Sequence, residues 1–146
     1  MKTTPEILLV DDNPADIDLT SEALAMSKRQ FHVSTVTDGT EALSFLRREG
    51  QYREAPVPDL VVLDLNLPRK TGREVLSEVK TNPDLATIPV VIFTTSEAKS
   101  DITGSYELGA NCYFRKPGNL TEFISVVQYI ADFWLGFAIL PKKESR

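Results

Sequence analysis

The chain has 146 residues, 42% hydrophobic and 25% charged, with a formal net charge of -5, which suits one domain with a real core. That acidic balance argues against nucleic acid as a partner, because phosphate backbones select for excess Lys and Arg. A single cysteine, Cys112, excludes an internal disulfide framework, and the lone His32 excludes a multi-histidine zinc site. No stretch is apolar enough to span a bilayer, and Met1-Lys2-Thr3-Thr4-Pro5 does not open a signal peptide, so a cytoplasmic setting is expected.

Strand and helix signals alternate five times. A strand is expected over roughly Glu6–Val10, an apolar run closed by Asp11-Asp12. Asn13 then suits an N-cap and Pro14 the first helical turn. A second strand is expected over Phe31–Val36, with His32 facing solvent, and Asp38-Gly39-Thr40 leads into a helix through Arg47. The stretch Glu49–Pro58, with two prolines and mixed charge, reads as a surface insertion. Leu60–Leu63 forms the third strand, ended by Asp64, and a helix carrying Val75, Leu76 and Val79 follows Gly72. The fourth pair is Val90–Phe93, followed by a helix over about Ser96–Leu108 that stops at Gly109. The fifth is Asn111–Phe114, with a last helix from near Asn119. Regular alternation with short connections predicts an α/β fold, a parallel sheet with helices on both faces.

The chemistry collects where strands end. Asp11 and Asp12 follow the first strand, Asp64 the third, Thr94 the fourth and Lys116-Pro117 the fifth. Ligands of open α/β sheets bind at these carboxyl ends. Three carboxylates there repel one another unless a cation intervenes, and Mg2+ prefers such oxygen ligands. The set suits phosphoryl transfer. Asp64 can act as a nucleophile, Lys116 can neutralise phosphoryl oxygens, and Thr94 can donate its hydroxyl hydrogen to one of them.

In Ile7-Leu8-Leu9-Val10-Asp11-Asp12, Asp64-Leu65-Asn66-Leu67-Pro68, Thr94-Thr95 and Lys116-Pro117, the chain resembles the receiver domains of two-component response regulators. The resemblance implies a flavodoxin-like (βα)5 doubly wound fold with five parallel strands in the order 2-1-3-4-5. It implies that Asp64 accepts a phosphoryl group from a kinase phosphohistidine. Mg2+ would be held by Asp12, Asp64 and the backbone carbonyl of Asn66, with Asp11 assisting. Thr94 and Tyr113 would be a switch pair, Lys116 would contact the phosphoryl group, and the Lys116-Pro117 bond would be cis. A haloacid-dehalogenase-type phosphatase uses similar residues. However, its nucleophile comes before the acidic pair and has an acid two positions on, where this chain has Asn66. The protein is therefore expected to modify only itself.

One domain is expected over 1-146, with an extended last helix and tail and no output domain, so the signal would pass to a downstream protein. On a uniform helix, Phe123 through Phe137 would spread apolar side chains over an arc of roughly 220°, wider than one buried stripe needs. Phe133, Trp134 and Phe137 are therefore expected at a homodimer interface. The insertion and the aromatic tail are similar to small regulators partnered with cyanobacterial phytochrome histidine kinases, which implies a phytochrome as phosphoryl donor.

Overall fold

The computed structural model describes residues 4–141. Five parallel strands form one sheet in the order β2-β1-β3-β4-β5. They are β1 (Glu6–Val10), β2 (His32–Val36), β3 (Leu60–Leu63), β4 (Val90–Thr94) and β5 (Cys112–Arg115). The helices are α1 (Pro14–Ala25), α2 (Gly39–Arg47), α3 (Gly72–Thr81), α4 (Lys99–Glu107) and α5 (Leu120–Ala131). Register is continuous through the middle: Val10 lies beside Leu63, and Leu63 beside Ile92.

The central strands are apolar without alternation because both faces are covered. Leu8, Val10, Val61, Leu63 and Ile92 pack toward α2 and α3. Ile7, Leu9, Val62, Val91 and Phe93 pack toward α1 and α5, against Leu24, Phe123, Val127 and Ile130. Burying each large aliphatic side chain contributes about 1.5–3 kcal/mol, so the two layers fix the strand ends firmly.

Local chemistry sets where helices begin. Asn13 accepts from the Asp16 amide, Asp38 from Glu41 and Asn119 from Glu122. Thr71 and Glu74 form a reciprocal capping box. Helix α4 starts three residues later than the sequence suggests. Ser96 takes the Ala98 amide on its hydroxyl and donates that hydroxyl to Asp101, an arrangement that competes with helix.

Two further expectations are corrected. The segment after α2 is not merely a surface insertion: Gly50–Tyr52 forms a 3-10 turn, and Tyr52, Ala55 and Val57 pack on the core. The Tyr52 ring lies 5.3 Å from that of Phe45. The last helix is not uniform either, since Asp132–Phe137 continues as a π-helical turn. Arg29 lies against this turn, with its guanidinium 3.5 Å from Asp132 and 6.0 Å from the Phe137 ring centroid.

Candidate phosphoacceptor site

Four strand ends meet above the middle of the sheet. Asp11 follows β1, is only 2% exposed, and accepts a hydrogen bond from the Asn13 amide at 3.0 Å. Asp12, next to it, is exposed. Asp64 follows β3, is 6% exposed, and is tied to β1 by its own amide, which donates to the Val10 carbonyl. Gly72 packs on the Asp64 backbone carbonyl so closely that any Cβ would collide with it. The glycine thus lets α3 start directly beside the acid.

The Asp64 carboxylate has three donors. The Thr94 hydroxyl donates to Oδ1 at 2.8 Å, the Asn66 amide donates to Oδ1 at 3.1 Å, and Lys116 Nζ donates to Oδ2 at 2.8 Å. Thr94 is fully buried. The Lys116 amide donates to the Thr94 carbonyl at 2.7 Å, which sets the height of the lysine against β4. Its side chain runs inward, with Nζ 5.9 Å from the Phe93 ring centroid.

Oxygens of Asp11, Asp12 and Asp64 lie within 4.8 Å of one another, a spacing that a divalent cation can bridge. Burial pushes the Asp11 carboxyl above its usual range, against the opposing pull of its hydrogen bonds from Lys116 and Asn13. Burial also works against the Lys116 charge, but the hydrogen bonds to Asp11, Asp64 and Asp16 outweigh it and hold the ammonium above its usual range. Lys116 therefore stays charged at neutral pH.

The raised Asp11 value predicts that protons compete with metal. Mg2+ affinity should weaken as pH falls through the Asp11 pKa, by up to about tenfold per unit for one displaced proton. Calorimetric titration from pH 8 down to the lowest pH at which the fold survives checks this, and affinity that never weakens with acid would contradict it.

The remaining expected residues are distributed unevenly. Tyr113 is half-buried on β5, and its hydroxyl donates to the Ser96 carbonyl at 2.9 Å. Its outward amide donates to the Tyr106 hydroxyl at 3.1 Å, which covers the free sheet edge. Tyr113 thus reaches the Thr94 turn through Ser96. Thr95 is exposed at the site's rim. The expected cis bond is absent: the described residues contain no cis peptide, so Lys116-Pro117 is trans. An X-Pro bond prefers trans by about 0.5–1 kcal/mol, and Lys116 meets its partners without the exception. Away from the site, Phe133 is 42% and Phe137 78% exposed, whereas Trp134 is half-buried against the core.

Asp16 is the site residue that sequence reasoning missed. Its carboxylate accepts from Lys116 Nζ at 2.9 Å, alongside Asp11 at 2.7 Å. In the sequence it is only a first-turn acid of α1, and its reach to Lys116 depends on the direction in which α1 leaves the sheet.

Known proteins share this fold. Residues 7–128 match the response regulator receiver domain family. The chain is 48% identical over 135 residues to response regulator Rcp1 of Synechocystis sp., covering 92% of each chain. It is 38% identical over 136 residues to the probable methanogenesis regulatory protein FilR2 of Methanothrix harundinacea, covering 92% of this chain and 86% of that protein. The crystal structure of the phosphorylated cyanobacterial phytochrome response regulator RcpA aligns with a TM-score of 0.93 at 51% identity, over 96% of this chain and 100% of that one. The Mn2+-bound form of Rcp1 aligns with a TM-score of 0.92 at 47% identity, over 94% and 99%.

Proposed function

The chain belongs to the response regulator receiver family, and from that premise we propose that its phosphoryl donor is a phytochrome-type sensor histidine kinase. The observation that carries the phosphoacceptor role is the convergence of Thr94 and Lys116 on the buried Asp64 carboxylate. An Asp64 oxygen attacks the phosphorus of the kinase phosphohistidine, the P–N bond breaks with its electron pair staying on the ring nitrogen, and the ring, protonated at its other nitrogen, leaves as neutral imidazole. Lys116 and Thr94 hold the transferred oxygens in place. Asp12 and Asp64, with Asp11 beside them and the Asn66 carbonyl as a further ligand, would hold Mg2+, which when bound neutralises charge on the phosphoryl group. Water later attacks the phosphorus, releasing phosphate and restoring the carboxylate. The protein thereby modifies only itself, and the Thr94 and Tyr113 pair registers the change.

Similarity to RcpA and Rcp1 supports the phytochrome donor. Transfer from a phytochrome kinase should outpace transfer from unrelated histidine kinases, and equal rates would remove the support. A cytoplasmic setting fits the free Cys112 and the absence of any membrane-crossing helix among the described residues.

The output is read through protein contacts, with a second copy of the chain as the first partner. Tyr129 and Phe133 stack at 6.3 Å, Phe114 meets Tyr129 at 6.4 Å, and Phe137, beside Arg29, is exposed as well. The Trp134 ring lies 5.2 Å from that of Phe133. Such a surface matches the aromatic-rich core of an interface. Phe133→Glu or Phe137→Glu should give a folded monomer in sedimentation. An unmodified protein that stays monomeric at high micromolar concentration, phosphorylated or not, would count against the dimer.

A further inference from the structure

A carboxylate in the first turn of a helix commonly serves the helix dipole alone. Asp16 differs in where it points. It reaches from α1 to an ammonium whose side chain is 3% exposed, and it shares that ammonium with Asp11 and Asp64. It also lines a groove of about 250 Å³ with Thr95, Lys116 and Pro117, between α1 and the start of α5.

An ammonium has three N–H donors, and in Lys116 all three are taken, at 2.7, 2.8 and 2.9 Å. The three acceptors fare differently once a phosphoryl group arrives. Asp64 becomes the acyl phosphate, and the negative charge there now sits on the phosphoryl oxygens. Asp11 belongs to the carboxylate group that can bridge a cation. Asp16 lies outside that group and keeps its full charge on Lys116. The ammonium therefore meets the phosphoryl group partly neutralised, with the Asp16 carboxylate still beside it.

We propose that Asp16 is a positioning residue that acts through Lys116 to lower the affinity of the Asp64 site for the phosphoryl group. It sets how fully the site is charged at a given supply of donor. The proposal rests on Asp64 being the phosphoacceptor.

The test is an equilibrium titration with beryllofluoride, a phosphoryl mimic, in saturating Mg2+, followed by 19F NMR on the unmodified protein, Asp16→Asn and Asp16→Glu. Asp16→Asn keeps an oxygen acceptor for Lys116 but removes the charge. It should bind the mimic about three- to tenfold more tightly, the size expected for removing one partly screened charge beside an anion. Asp16→Glu should restore near-normal affinity, and Asp16→Asn should not bind Mg2+ alone more tightly. A merely structural role would weaken both ligands together and lower the melting temperature. Equal or weaker mimic binding by Asp16→Asn would overturn the assignment of Asp16 alone. Failure of the unmodified protein to bind the mimic would overturn the phosphoacceptor reading and this one with it.

Discussion

Asp64→Asn is expected to abolish acid-labile labelling by acetyl phosphate or a kinase phosphohistidine, a loss of at least about a hundredfold, because an amide cannot replace the carboxylate nucleophile. The substitution is nearly isosteric. It leaves Lys116 paired with Asp11 and Asp16, and the Asp64 backbone amide still donates to the Val10 carbonyl. The fold should therefore survive, and loss of label with an unchanged circular dichroism spectrum is the predicted combination. Undiminished label on the variant would place the chemistry on another residue.

Lys116→Met should have the largest effect on stability. The ammonium is shared by Asp11, Asp16 and Asp64, and two of these acids are almost fully buried. Removing it leaves like charges facing one another without their counter-ion. Removing one partner of a buried ion pair typically costs about 3–5 kcal/mol, and that range is expected here at neutral pH without metal. The pH dependence has a definite sign. Asp11 already has a raised carboxyl value, and it loses the lysine that opposed the rise. A carboxylate whose folded value exceeds its unfolded value destabilises the fold fully above the folded value. That penalty fades as pH falls through the folded value, so the variant should regain stability relative to the unmodified protein as pH is lowered. Mg2+ at neutral pH should restore part of the loss by supplying positive charge to the same acids. Urea unfolding at pH 7.5 and pH 5, with and without Mg2+, checks both effects. Stability equal to that of the unmodified protein under all four conditions would contradict the electrostatic account.

Much of this site is legible in the chain because its parts obey short-range rules. The central strands are unbroken Val, Ile and Leu runs, and each ends where a polar residue must face the crevice. Asn13, Asp38 and Asn119 announce their helices through side-chain acceptors. Expectations fail where distance or local competition decides. Asp16 becomes a site residue only through a lysine 100 positions away. Ser96 delays α4 because its hydroxyl prefers Asp101 and a turn amide. Tyr52 looks like part of a polar insertion, yet it finds the ring of Phe45 once α2 is docked.

The last helix is instructive for the same reason. A uniform 100° step puts Phe133, Trp134 and Phe137 on one broad face. The π-helical turn over Asp132–Phe137 changes that step, leaving Phe133 and Phe137 exposed and Trp134 half-buried. Among the described residues the indole Nε1 is buried without a hydrogen-bond partner, and Trp134 packs on the core with its ring 5.2 Å from that of Phe133. The sequence pattern identifies the apolar excess, but not which ring faces outward.

The central claim is that Asp64 itself carries the phosphoryl group. The direct measurement is transfer from a phosphorylated histidine kinase in Mg2+, followed by borohydride reduction and peptide mass mapping. Borohydride converts an aspartyl phosphate to homoserine and leaves a free carboxylate intact. The account predicts homoserine at position 64 alone, absent when Mg2+ is chelated. Homoserine at Asp11 or Asp12, or none anywhere after a phosphorylated kinase has lost its label to this protein, would contradict it.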